Sequence, residues 1–288
     1  MSNFHVLISE SETREARDRR RATTGRSSGE TFKDLLRSLV PDADCELVQT
    51  VEAGPERHPS RGLGDYDAVV LAGSPLHVYA ATPEVRRQVA FMRAVFASGT
   101  PSFGSCAGLQ IAVAAAGGSV RRNPGLPEIA FARRILRTDA GRHHPMLNGR
   151  PEVFDALAVH SDEVESLPPD AELLAGNRHA TVQAAAIRHA GGTFWGVQYH
   201  PELPLAEIAD ALRRQSADLV AQGFADSHQA IEGYADMIAA LDAAPERQDL
   251  AWRLGLDQQV TDAALRQTEI RNFVEHLVRP TQNSRGRG

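Results

Sequence analysis

Phe103-Gly104-Ser105-Cys106-Ala107-Gly108-Leu109-Gln110 is the stretch on which the reading of the chain turns. It follows a short apolar run beginning after Pro101. It leads into Ile111-Ala112-Val113-Ala114-Ala115-Ala116, an alanine-rich run that reads as helix and stops at Gly117-Gly118. A cysteine therefore stands on a strand-to-helix turn. Gly104 and Gly108, two residues before it and two after, carry no side chain where strand and helix nearly touch. This is a nucleophile elbow with sulfur in place of the commoner serine oxygen. A helix N-terminus stabilises negative charge and so favours a thiolate nucleophile. The N–H of Ala107, directly after Cys106, can face a developing oxyanion.

Taken alone, the elbow leaves a second reading standing, in which Cys106 is a buried structural cysteine, as most free cysteines are. A second segment decides between them. Thr193-Phe194-Trp195-Gly196-Val197-Gln198-Tyr199 reads as a strand that delivers His200-Pro201-Glu202 at its end. Proline holds the residue before it extended and fixes its own φ, so His200 and Glu202 fall two apart on one face. An imidazole base with a carboxylate beside it is the partner set a cysteine nucleophile needs. The chain order is nucleophile Cys106, base His200, orienting acid Glu202.

Gly104-Ser105-Cys106-Ala107-Gly108-Leu109-Gln110 and Gly196-Val197-Gln198-Tyr199-His200-Pro201-Glu202 together resemble the class I (triad) glutamine amidotransferases. The likeness covers roughly residues 44–205 and looks nearest to the amidotransferase domain of GMP synthases. An elbow cysteine is shared by several folds, and the His-Pro-Glu partner makes the pair specific. The resemblance implies a flavodoxin-like fold and hydrolysis of the side-chain amide of L-glutamine through a γ-glutamyl thioester on Cys106, with no cofactor. It also implies that a loop N–H completes the oxyanion hole with that of Ala107. Ser74 stands where a second glycine is common, which leaves Gly73 as the candidate donor. Gln110 resembles the family's substrate-contacting glutamine. His160-Ser161-Asp162 matches the segment over the glutamine pocket, where Asp162 would pair with the substrate ammonium and His160 would orient it; a plain hairpin turn is the alternative.

Composition bounds these readings. The chain has 288 residues, 42% hydrophobic and 24% charged, enough for one large domain or one domain with an appendage. A net charge of -6 gives no basic footprint for nucleic acid. No apolar run approaches the ~20 residues that span a bilayer, and the N-terminal residues show no signal-peptide h-region. Cys45 and Cys106 do not make a disulfide framework, and a reducing cytoplasm fits. His143-His144 lacks a cysteine or carboxylate at ligand spacing, so both are read as loop residues and no metal site is expected.

Strand and helix signals alternate from the start. Residues 4–8 read as a buried strand, 32–40 as a helix, 45–51 as a strand, 67–72 as a continuous apolar strand running into Gly73-Ser74-Pro75, and 83–97 as a helix. The fold class is therefore α/β, a doubly wound, mostly parallel sheet with flanking helices. Short strands at 131–138, 152–159, 173–175 and 181–188 predict an antiparallel extension of that sheet. Residues 9–30 carry Arg14, Arg17, Arg19, Arg20 and Arg21 and read as a solvated or partly disordered insert, with a lid or anion-docking loop as the alternative. A helix over about 205–222 closes a first domain, 1–222. Amphipathic helices at 226–241 and 260–278 make a helical extension, 223–281, which packs back by default or serves as a docking or homo-oligomer surface. Residues 282–288 read as a disordered tail.

Ammonia release alone is rarely useful, and the chain holds no phosphate-binding Gly-x-x-x-x-Gly-Lys-Ser/Thr loop. The leading expectation is a glutaminase that supplies ammonia to a separate synthetase in trans. A γ-glutamyl peptide or amide hydrolase with the same triad is the alternative, and a non-catalytic binding module the third. Ala107 is smaller than the residue often found after the nucleophile, which bears on pocket shape.

Overall fold

Val6 and Ile8 pack into one layer of the molecule and Leu7 into the other, the period-two alternation that places a strand inside a sheet covered on both faces. The same split runs through Val70 against Val69 and Leu71. The computed structural model describes residues 4–54 and 57–286.

The first half is the α/β alternation expected. β1 (Phe4–Ser9) is followed by α1 (Arg14–Thr24), α2 (Ser28–Leu39), β2 (Ala43–Val48), β3 (Ala68–Leu71), α3 (Pro83–Ser98), β4 (Ser102–Ser105) and α4 (Ala107–Ala115). The second half adds β5 (Ser119–Arg122), β6 (Glu128–Arg137), α5 (Asp139–His143), β7 (Val153–His160), β8 (Asp162–Ser166), β9 (Ala171–Gly176), β10 (Ala184–His189) and β11 (Gly192–Val197). Nine of these strands form one mixed sheet in the order β2-β1-β3-β4-β11-β10-β9-β6-β7, and β5 pairs with β8 in a small separate ladder. From β2 to β11 neighbours run parallel; from β11 to β7 they run antiparallel. The antiparallel extension is thus present and as wide as the parallel part, and β11 sits at the junction, beside β4. That junction brings the ends of the cysteine strand and the histidine strand together.

The charged insert is ordered, contrary to the loop expected at 9–30. Thr13 caps α1 by accepting from the N–H of Ala16, and Gly25, at φ 76°, ends it. Ser27 and Glu30 form a capping box on α2. Hydrophobic periodicity could not reveal α1, because only Ala16 and Arg17 are buried on it. It is held by polar docking: Arg17 donates to the carbonyl of Glu12 (2.8 Å) and to Gln49 (2.9 Å), and Arg20 pairs with Glu207.

The C-terminal helices are α6 (Leu205–Arg214), α7 (Ser216–Ala221), α8 (His228–Ala243), α9 (Gln248–Leu254), α10 (Gln258–Thr261), α11 (Ala263–Arg266), α12 (Thr268–Phe273) and, after a π-helical turn at Val274–Val278, α13 (Arg279–Ser284). The single helix expected at 260–278 begins earlier, at Gln258 behind an Asp257 cap, and is broken at Asp262, whose side chain accepts from the N–H groups of Ala264 and Leu265 and starts a new helix. Residues 282–284, expected in a disordered tail, continue α13, and Arg285 donates to the carbonyl of Gly99 at 2.8 Å; residues 287–288 lie outside the described ones. Helices α6, α8 and α9 cover β6 and β7 through Ile208, Leu212, Ile231, Ile238 and Leu254. Ile270, Phe273, Val274 and Val278 share a core with Phe103 and Trp195 of the central strands and with Tyr199 just after β11. The final helices therefore pack onto the sheet as part of its core. No helix among the described residues is long and apolar enough to cross a membrane.

Candidate active site

Cys106 lies between β4 and α4 at φ 51° and ψ -110°, a backbone conformation that side-chain-bearing residues rarely adopt. Its N–H donates to the carbonyl of Val197 (2.8 Å), which ties the elbow to the end of β11. The close approach read from the flanking glycines is present. A Cβ on Gly108 would stand 2.5 Å from the Leu71 carbonyl oxygen, and one on Gly104 would stand 2.9 Å from the Gly108 backbone.

His200 and Glu202 follow β11, and their side chains meet, Nδ1 of His200 donating to Oε1 of Glu202 at 2.7 Å. The Cys106 side chain lies near enough to the same imidazole to raise its pKa, and its Sγ lies 3.9 Å from the Val159 carbonyl on β7. With Nδ1 taken by Glu202, Nε2 is left for the sulfur. The backbone N–H of His200 donates to the Leu157 carbonyl (2.8 Å), fixing the ring's starting point against β7. All three residues are buried, at 6 or 7% exposure. Burial disfavours the charged ring, yet the Glu202 carboxylate and the nearby Cys106 outweigh it and push His200 up from 6.5 to about 10. The arrangement can hold an imidazolium between a sulfur and a carboxylate.

Gly73, in the loop after β3, abuts that ring: a Cβ there would stand 3.0 Å from Cε1 of His200. The N–H groups of Gly73 and Ala107 make no hydrogen bond among the described residues, Ala107 being the first residue of α4. Gln110, on the first turn of α4, is buried and donates through Nε2 to Oε1 of Gln198 at 3.1 Å.

The remaining two candidates are engaged with other groups. His160 faces Oε2 of Glu128 through Nε2 (2.9 Å) and the Asp162 carbonyl through Nδ1 (3.0 Å). The Asp162 carboxylate meets Nδ1 of His77 at 2.7 Å, a half-exposed ring from the loop that Gly73 opens. His144, expected as a loop residue, packs edge-on against Trp195 at 4.8 Å between ring centres, and burial lowers its pKa. Among the described residues no cluster of His, Cys, Asp or Glu could hold a metal ion.

Sequence reasoning missed three residues here. Ser105 Oγ donates to Oε1 of Glu202 at 2.9 Å, and nothing about a serine before the nucleophile announced it. His77 is the partner of Asp162, reached only through the fold. Glu128 accepts from His160, Asn177 and Gln183; burial would raise its carboxyl, but these partners hold it below the usual range. A lone carboxylate opening the apolar run Ile129-Ala130-Phe131-Ala132 was its available signal.

A family model described as glutamine amidotransferase class-I matches residues 28–217. A gamma-glutamyl-L-1-hydroxyisopropylamide hydrolase from a Pseudomonas species is 36% identical over 291 residues, covering 98% of this chain and 95% of that protein. A glutamine-hydrolysing GMP synthase from Thermosipho africanus is 30% identical over 192 residues, covering 66% of this chain and 32% of that protein, so the chain spans about a third of it. Among solved structures, a glutamine amidotransferase from Thermotoga maritima has a TM-score of 0.65 at 16% identity, over 96% of this chain and 100% of that one, a likeness of fold.

Proposed function

The chain belongs to the class I glutamine amidotransferase family, and from that premise we propose that it hydrolyses γ-glutamyl amides carrying a small N-substituent, with Cys106 as nucleophile, His200 as base and acid, and Glu202 as the orienting carboxylate. The observation that carries the chemistry is the position of His200, whose Nδ1 bonds Glu202 at 2.7 Å and whose charged form is favoured by the neighbouring Cys106. His200 takes the thiol proton and Sγ attacks the γ-carbonyl carbon. The N–H groups of Ala107 and Gly73 stabilise the oxyanion. His200 then gives the proton to the leaving nitrogen as the C–N bond breaks, and a γ-glutamyl thioester remains. Water, deprotonated by His200, attacks the thioester and returns glutamate and free Cys106.

The substituted amide is favoured over glutamine by the extent of the likeness. The hydroxyisopropylamide hydrolase matches through the C-terminal helices, whereas the GMP synthase match covers 66% of the chain. Glutamine hydrolysis feeding a synthetase in trans is the second reading, favoured by the GMP synthase match. In both readings Asp162 is the candidate for the substrate ammonium, which would compete with His77 for it, and Gln110 and His160 are the further candidates to contact and orient the substrate.

Glutamate release by the purified protein from L-glutamine and from γ-glutamyl N-alkylamides tests this, with Cys106→Ala as control. Faster Cys106-dependent release from the alkylamides, with a γ-glutamyl adduct on the Cys106 peptide by mass spectrometry, is the expected result. Release from glutamine alone transfers the assignment to the second reading.

A further inference from the structure

Tyr199, the residue before His200, is fully buried, and its hydroxyl donates to Oε1 of Glu269 at 2.8 Å. Glu269 lies on α12, far along the chain, and its side chain is 0% exposed. It is gripped by Arg150, itself 1% exposed, through Nε to Oε1 (2.7 Å) and Nη2 to Oε2 (2.9 Å). Arg150 also donates to Gln259 (2.9 Å) and to the Arg266 carbonyl (3.0 Å), and its guanidinium sits 4.8 Å over the ring of Phe154 on β7. Phe154 in turn meets Tyr199 edge-on at 5.9 Å. Every member of the cluster is thus tied either to the segment entering His200, to β7, or to the C-terminal helices.

A buried ion pair is a weak source of stability, because its desolvation cost can match or exceed its attraction, and apolar residues of similar volume often serve as well. What it supplies here is direction. Tyr199 cannot shift without breaking its bond to Glu269, and the next residue carries the imidazole. Leu157, which receives the His200 N–H, and Val159, whose carbonyl faces Sγ of Cys106, stand on the same strand as Phe154. Arg150 neutralises Glu269 at close range, so the carboxylate acts on His200 through geometry and not through its field.

We propose that Glu269 is a positioning residue for the active site: through Tyr199 it fixes the backbone that presents His200 to Cys106, which makes the helices from Gln258 onward part of the catalytic unit. The proposal rests on the reading of Cys106, His200 and Glu202 as the catalytic set, and its test separates the two. Tyr199→Phe removes the hydroxyl and keeps the ring and the Arg150–Glu269 pair. Arg150→Met combined with Glu269→Leu removes the charges and keeps the volume. Each is assayed for kcat and KM on the γ-glutamyl alkylamide and for the far-downfield proton resonance of the His200 Nδ1–H bound to Glu202, with Glu202→Gln as the assignment control. The expected result is a kcat lowered about tenfold with KM within about twofold, and a His200 resonance shifted or broadened, in variants that still unfold cooperatively. A wild-type kcat and an unmoved resonance in folded Tyr199→Phe would overturn the proposal. Should the wild type hydrolyse no amide, the resonance still decides: its displacement in Tyr199→Phe supports the positioning role while the substrate assignment falls.

Discussion

Ser105 Oγ and Nδ1 of His200 converge on one oxygen of Glu202, Oε1, at 2.9 and 2.7 Å, while Oε2 is buried without a hydrogen-bond partner among the described residues. All the orientation Glu202 receives from the nucleophile strand comes through that serine. A hydrogen bond to a charged group contributes about 1.5–3 kcal/mol, and each 1.36 kcal/mol in a barrier is about tenfold in rate. His200 itself still holds Oε1 when the hydroxyl is gone, so the lower end applies. Ser105→Ala is expected to lower kcat about tenfold and leave KM within about twofold, measured by steady-state glutamate release.

Two glycines of the site separate activity from stability. A Cβ at Gly73 would press on Cε1 of His200 from 3.0 Å, and the ring's edge has to give by a few tenths of an ångström. Gly73→Ala is expected to lower kcat at least about tenfold with little change in the urea midpoint. At Gly108 the obstacle at 2.5 Å is the Leu71 carbonyl, part of a central strand that cannot step aside. Gly108→Ala is expected to destabilise the fold by about 1–3 kcal/mol. Parallel denaturation and kinetic measurements on both variants check the contrast.

The charge on His200 has a consequence for stability against pH. Its pKa rises from 6.5 to about 10 in the folded protein, burial opposing the rise and Glu202 and Cys106 driving it. A group that binds its proton more tightly when folded stabilises the fold fully below the unfolded pKa and loses that contribution as pH climbs to the folded one. His200 therefore stabilises most below about pH 6.5, and its contribution drains away between about 6.5 and 10. Denaturant midpoints taken across that window are expected to fall in the wild type and to fall less steeply in His200→Gln; equal slopes would refute the assignment.

The parts of this chain that were legible in the sequence are those where local chemistry and global fold agree. Gly104, Cys106 and Gly108 encode the elbow because only glycine fits where Leu71 and the start of α4 nearly touch. His200 and Glu202 were legible as a pair two residues apart, and their side chains do meet, although β11 ends at Val197 and Pro201-Glu202 form a turn instead of an extended strand end. The α/β alternation was legible because Val6, Ile8, Val69 and Leu71 are buried on strands covered on both faces. Helix α1 was not, since arginines and glutamates hold it in place and leave no apolar period to read. The partners of His160 and Asp162 were hidden for another reason: Glu128 and His77 lie on other elements, and only the sheet order brings them near. The same holds for Glu269, whose role depends on α12 returning to the core beneath Tyr199.

Glu10 offers the clearest test of how the arginine-rich segment is anchored. It is 2% exposed at the end of β1 and caps α2: Oε2 accepts from Ser27 Oγ (2.5 Å), and Oε1 from Ser28 Oγ (2.7 Å) and the Gly29 N–H (3.1 Å). A carboxylate there also sits at the positive end of the helix. Glu10→Ala strips the partners from two buried hydroxyls and a buried N–H at once, where leaving a single such group unsatisfied costs about 1–3 kcal/mol. The expected loss is about 2–3 kcal/mol, because the Ser27–Glu30 capping box still holds the helix start. Glu10 touches none of Cys106, His200 or Glu202, so kcat at a temperature where the variant stays folded should match the wild type. A fall in kcat at full foldedness would instead mean that α1 and α2 bear on the substrate side of the site through Glu207, which takes Thr31 at 3.1 Å and pairs with Arg20 five residues after Glu202.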